Sequence, residues 1–106
     1  MIKIKTKKEE FELFDKYSNK WWDEEGEFKV LHKIRPIRMR YIIDQIGTNN
    51  LTNKDILDIG CGGGLVTEPL TKLGGNVTGI DFVKSNIEIA KKHSKIQNLE
   101  INYICG

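Results

Sequence analysis

Between an apolar run and an amphipathic one, the chain reads Asp58-Ile-Gly60-Cys-Gly62-Gly63-Gly64. Glycine is costly in regular structure, because it gives up the most backbone freedom on folding. Gly60, Gly62, Gly63 and Gly64, crowded together, mark a place where the chain must turn tightly or be approached closely. The flanks say what is joined. "ILDI" ahead of the glycines is a short apolar strand. "LVTEPLTKLG" behind them is a short helix, with Pro69 near its first turn and Gly74 closing it. A strand that runs through glycines into a helix sets a ligand site at the strand's carboxyl end. The N–H groups of such a turn are expected to point outward, beside the positive end of the helix.

The alternation continues downstream. "NVTGI" is a second strand ending at Asp81. "SNIEIAKKHSK" is a second helix, with Ser85 as its cap and Ile87 and Ala90 on its inner face. "LEINYIC" alternates like a third strand. Strand, helix, strand, helix, strand predicts parallel pairing with right-handed crossovers. Upstream, residues 1–8 are expected to fray, and residues 8–17 place Phe11, Phe14 and Leu13 on one helical face. Trp21, Trp22 and Phe28 follow in a segment punctuated by Gly26. Pro36 suits the first turn of a further helix, whose Ile37, Tyr41, Ile42 and Ile46 recur at helical spacing and which Gly47 ends. "TNNLTNKD" is a polar loop. The chain therefore divides into an N-terminal helical segment, 1–46, packing on the site, and a βαβαβ unit, 47–106.

The ligand class follows from what the turn lacks. A phosphate-binding P-loop needs Gly-Lys-Ser/Thr, which is not there. The dinucleotide fingerprint G-x-G-x-x-G fails from Gly60, where its third glycine would be Leu65, and from Gly62, where it would be Thr67. Asp58 stands two residues before the first glycine. A carboxylate there repels a pyrophosphate and attracts a cation. Asp81, at the tip of the second strand, is where an acid can accept hydrogen bonds from both hydroxyls of a ribose. Together these features point to an adenosine cofactor bearing positive charge, S-adenosylmethionine ahead of NAD.

Composition narrows the field further. A net charge of +2 is too mild to imply nucleic acid. With 39% hydrophobic and 30% charged residues, the 106-residue chain has the balance of a soluble globular domain. Cys61 and Cys105 lack metal-type spacing and read as reduced thiols of a cytosolic protein. The lysine-rich start has no apolar core and is not a signal peptide. No run approaches the roughly 20 apolar residues of a membrane span. Among single residues, His32 reads as structural or solvated and His93, between lysines, as a surface residue. Trp21 and Trp22 read as core or interface anchors. Arg35, Arg38, Arg40, Lys29 and Lys33 read as a solvated basic face, with an anionic membrane surface as the alternative partner. Cys61 supplies the small side chain the turn needs, and Asp23, Glu24 and Glu25 read as solvent-facing acids.

"LDIGCGGG" and "GID" resemble the first motif and the end of the second motif of class I S-adenosylmethionine-dependent methyltransferases. With "WWDEEGEFKVLHKIRPIRMRYI" upstream and "GGNVTGID" downstream, the sequence resembles more narrowly the ubiquinone biosynthesis O-methyltransferase family over nearly all of residues 11–104. The resemblance implies a Rossmann-like α/β fold, here truncated after the third parallel strand and preceded by N-terminal helices. It implies S-adenosyl-L-methionine as cofactor and a polyprenylated phenol as substrate, methylated on oxygen at a cytoplasmic site, peripheral to the inner membrane. It carries cofactor contacts to Arg38, Gly60 and Asp81, with Arg38 on the methionine end of the cofactor. Asp58, Gly62 and Gly64 join them from the reading of the turn. Val30 and Arg35 depart from the family's usual proline and asparagine without removing a matched contact. No catalytic base and no metal ligand set are legible.

The larger departure is that the fourth strand and everything after it are missing. In this fold the first strand lies between the second and the fourth, so Ile56 to Ile59 are expected to form an exposed edge, with one sheet face uncovered. The chain is expected to hold half a cofactor site, and to be marginal or aggregation-prone unless a second polypeptide supplies the remainder. Two alternatives stay open: a non-catalytic remnant or interaction module, and half of a nicotinamide-dependent dehydrogenase.

Overall fold

The computed structural model describes residues 20–106. The expected fraying of residues 1–8 and the expected helix over 8–17 lie outside the described residues. The elements are α1 (Lys29–Ile46), β1 (Asp55–Ile59), α2 (Thr67–Lys72), β2 (Asn76–Asp81), α3 (Lys84–Ile96) and β3 (Asn102–Cys105). The three strands form one parallel sheet in the order β1-β2-β3, with Asp58 opposite Gly79 and Gly79 opposite Tyr103.

Side chains alternate across a strand, so one register row shares one face. Ile56 with Val77, and Asp58 with Gly79 and Tyr103, face the helices. Met39 of α1 packs there with Leu51, Val66, Leu70 and Val77, and a second cluster joins Cys61, Ile87, Ala90 and Tyr103. Ile87 and Ala90 are thus inward, as the helical spacing required. The opposite face carries Leu57, Ile59 and Ile104, which are 56%, 77% and 44% exposed. Among the described residues no helix covers it, and β1 is an open edge as expected.

Two local expectations fail. The helix that was to begin at Pro36 begins at Lys29, and Pro36 lies inside it. Proline removes one helical hydrogen bond, but the inward stripe of Leu31, Arg35, Met39 and Ile42 runs across Pro36, and packing along that stripe keeps the helix continuous. The same packing turns Ile37 and Tyr41 outward, 70% and 65% exposed, while Ile42 packs against the core. Finally, Ser85 is not the cap of α3. Val83 precedes the helix, and the Asp81 carboxylate accepts the Val83 N–H at 2.8 Å. An acid two residues upstream forms that turn more directly than a serine already inside the helix. Gly47 does end α1, in a left-handed conformation (φ 88°), donating to the Ile43 carbonyl at 2.8 Å.

Candidate functional site: a glycine turn between two carboxylates

The glycine turn leaves β1 at the edge where β2 also ends. Gly60, Gly62 and Gly64 have φ of 73°, 56° and 94°, the left-handed region that side chains bearing a Cβ avoid. A Cβ on Gly60 would meet nothing within 4 Å, so this glycine faces open space. At Gly62 and Gly63 a Cβ would come within 2.6 Å of the Trp21 ring.

Four of the turn's N–H groups are used internally, contrary to the outward-pointing expectation. Gly60 and Cys61 both donate to the Ile80 carbonyl, at 2.7 and 3.0 Å, and Gly64 donates to Cys61 at 3.1 Å. Gly62 donates to Asp81 Oδ2 at 2.9 Å. Those donors stitch the turn to β2 because a tight bend beside a parallel partner strand brings that strand's last carbonyls within reach. The helix that follows has six residues, Thr67–Lys72, too short to carry a strong dipole. What the turn offers a ligand is bare backbone flanked by acids, which suits a cation better than a phosphate.

Asp58 and Asp81 lie on the same sheet face at the ends of neighbouring strands. Asp58 accepts a hydrogen bond from the Thr67 hydroxyl at 2.7 Å. Burial pushes its carboxyl above the ordinary 3.8. The Thr67 hydroxyl and the Arg38 guanidinium oppose that rise, and the Asp81 charge adds to it. A half-buried carboxylate held beside a second one is a receptor for positive charge. Asp81 is only 8% exposed, and its two oxygens accept the Gly62 and Val83 N–H groups. Arg38 is exposed on α1 within electrostatic reach of Asp58. Cys61 sits between the acids, its thiol pushed up to about 12 by burial and by both carboxylates. Tyr103 lies beneath, its hydroxyl also pushed up by burial. Neither group is a nucleophile or base near neutral pH.

Several site residues escaped the sequence reading. Trp21 lies across Gly62 and Gly63, stacks on Phe28 (centroids 4.3 Å apart) and donates from Nε1 to Asn86 at 3.1 Å. Trp22 donates from Nε1 to the Gly63 carbonyl at 3.0 Å. His32 reaches the Trp21 carbonyl at 2.7 Å, which bears out its structural reading. His93 is not a surface residue. It is 22% exposed in its side chain, donates from Nδ1 to Glu68 at 2.6 Å and stacks on Trp22. A buried acid amid "LVTEPL" was the available signal: Glu68 stands in an apolar run and needs a partner. Arg35, read as solvated, is half-buried with its guanidinium 5.6 Å from the Trp22 ring centre.

A parallel sheet that turns through alternate glycines beside two strand-end acids is the opening half of the class I methyltransferase fold. A methyltransferase-domain family matches residues 56–106. Over its whole length the chain superposes on a Methanococcus maripaludis protein reported as a candidate S-adenosylmethionine-dependent methyltransferase, with 28% identity, a TM-score of 0.66 and 45% of that chain covered. Within this class the sequence is similar to proteins named ubiquinone biosynthesis O-methyltransferase. It is 48% identical over 99 residues to the family's protein from Rickettsia felis, covering 92% of this chain and 41% of that one. It is 48% identical over 104 residues to the one from Pelagibacter ubique, covering 91% and 43%. The chain thus spans about two-fifths of the length of these relatives.

Proposed function

We propose that this chain provides the cofactor-binding half of an O-methyltransferase of ubiquinone biosynthesis, which moves a methyl group from S-adenosyl-L-methionine to a phenolic oxygen of a polyprenylated intermediate. The observation that carries the reading is the geometry of the turn: three left-handed glycines, one open to solvent, between Asp58 and Asp81. The similarity to relatives bearing that name, extending through the upstream Trp-Trp and α1 segments, supports the specific assignment.

The residues fit the cofactor by charge. Asp58 faces its ammonium and sulfonium end, Arg38 complements its carboxylate, and Asp81 takes the ribose hydroxyls with lone pairs its two backbone bonds leave free. Bound there, S-adenosylmethionine supplies an electrophilic methyl group on a positively charged sulfur. This chain's part is to bind and orient: Gly60 admits the ligand against backbone, and Trp21 and Trp22 shield the rest of the turn from water. A phenol, with an ordinary pKa near 10, must lose its proton during attack. Among the described residues Cys61 and Tyr103 are unsuited to take it, and His93 is occupied by Glu68.

In this reading further polypeptide pairs with β1, covers Leu57, Ile59 and Ile104 and brings the acceptor pocket. The site would work at the cytoplasmic side of a membrane. Exposed Val30, Ile37 and Tyr41 near Lys33 and Arg40 on α1 suit peripheral contact with anionic lipid. Parallel calorimetric titrations with S-adenosylmethionine and NADH test the core of this reading. Preference for S-adenosylmethionine by at least about tenfold, without turnover on a catechol, is expected. Preference for NADH refutes the methyltransferase reading, and turnover by the isolated chain refutes the need for further polypeptide.

A further inference from the structure

Glu68 and His93 play no part in the proposed cofactor contacts, yet they form the most buried charged pair described. Glu68 is 1% exposed, in the first turn of α2. A carboxylate so placed is costly unless a partner compensates it. His93, from α3, donates to it from Nδ1 at 2.6 Å. The imidazole then lies flat on the Trp22 indole, with centroids 3.6 Å apart and planes 3° from parallel. The imidazole is thus held between the buried Glu68 carboxylate and the face of the indole. Around Trp22 the other titratable groups come from α1: Arg35 at 5.6 Å from the ring centre, and His32 edge-on at 5.9 Å. Lys84, Lys91, Lys92 and Lys95 are the exposed cations on His93's own helix.

Trp22 is tied at its other end to the glycine turn, through Nε1 and the Gly63 carbonyl. Its neighbour Trp21 covers Gly62 and Gly63. We propose that Glu68 and His93 are positioning residues: acting through Trp22, their hydrogen-bonded pair holds the Trp21–Trp22 segment down on the glycine turn and so builds one wall of the cofactor cleft. The inference rests on the reading of that cleft given above, but the hold on Trp22 is measurable without any ligand.

The chain has only two tryptophans, so Trp21→Phe leaves Trp22 as the sole indole. In the Trp21→Phe chain, emission at constant pH should be that of a shielded indole, because the imidazole lies on one face of Trp22. Adding His93→Gln should shift the emission to longer wavelength and raise its quenching by acrylamide, and adding Glu68→Gln should move both readouts the same way. In chains retaining Trp21, His93→Gln and Glu68→Gln should each weaken S-adenosylmethionine binding about five- to tenfold, with unchanged far-ultraviolet circular dichroism. Emission and acrylamide quenching left unchanged by both pair variants overturn the proposal. Unchanged affinity in both pair variants overturns the positioning role as well. If no form of the chain binds S-adenosylmethionine while the emission behaves as described, it is the cofactor reading that fails, and the pair's hold on Trp22 stands.

Discussion

Replacing Gly60 by alanine separates the cost of bending the turn from the cost of blocking its ligand. Gly60 has φ of 73°, and a left-handed conformation costs a residue with a Cβ roughly 1–2 kcal/mol. The added methyl meets no atom within 4 Å, so no steric term joins that cost. Loss of unfolded-state freedom returns about 0.4–1 kcal/mol. Gly60→Ala should therefore lower stability by no more than about 1.5 kcal/mol. The methyl nevertheless projects into the open side of the turn. Should the cofactor lie on this backbone, affinity falls by at least about tenfold, or 1.4 kcal/mol. Gly62→Ala is the contrasting variant, with φ of 56° and a Cβ 2.6 Å from the Trp21 ring, so strain and overpacking combine. It should cost more stability, about 2–4 kcal/mol. Urea denaturation followed by circular dichroism gives the first quantity, and calorimetric titration of S-adenosylmethionine gives the second. A Gly60→Ala chain that is barely destabilised and binds as tightly as the parent would refute the claim that the ligand passes over this glycine.

Other expectations concern charge, thiols and the open sheet. Asp58 has a carboxyl raised by burial, so its contribution to stability is full below the ordinary 3.8 and is lost as pH rises through the raised folded value. Asp58→Asn should then stabilise the chain slightly near neutral pH, by less than about 1 kcal/mol after solvent screening, while weakening cofactor binding; a less stable variant at pH 7 contradicts the desolvation argument. Asp81→Ala leaves the Gly62 and Val83 N–H groups without acceptors and should cost about 2–4 kcal/mol in chemical denaturation. Cys61, 8% exposed with its thiol pushed up to about 12, should resist a disulfide reagent at pH 8, whereas exposed Cys105 reacts. One thiol titrated in buffer and two in urea is the expected count, and two fast thiols in buffer would show the turn to be open. Ile59→Lys, on the uncovered face, should reduce self-association in analytical ultracentrifugation without loss of helicity; unchanged association would place the sticky surface elsewhere.

Local pattern was enough to read the βαβαβ unit. Short apolar runs bounded by glycine and polar loops give strands, and the order of elements forces parallel pairing. The alternate glycines declared their left-handed turn because no other residue takes that conformation cheaply, and Asp58 and Asp81 were legible from their spacing around it. Periodicity could not say which face of α1 turns inward. Ile37 and Tyr41 satisfy helical spacing as well as Met39 does, and only the position of Leu51, Leu70 and Val77 selects Met39. Pro36 read as a helix start because proline tolerates that place best, yet a sufficiently packed stripe carries the helix across it.

The amino-acid sequence by itself determined the sheet, its order of connection and the acid-flanked turn, since each rests on preferences of single residues or near neighbours. Tertiary structure alone decided what lies over that turn. Trp22 reaches Gly63 across 41 positions, Trp21 reaches Asn86 across 65, and Glu68 reaches His93 across 25. Contacts at such separations leave no periodic trace in the chain, because they form only when the sheet has brought the ends of different elements to one edge.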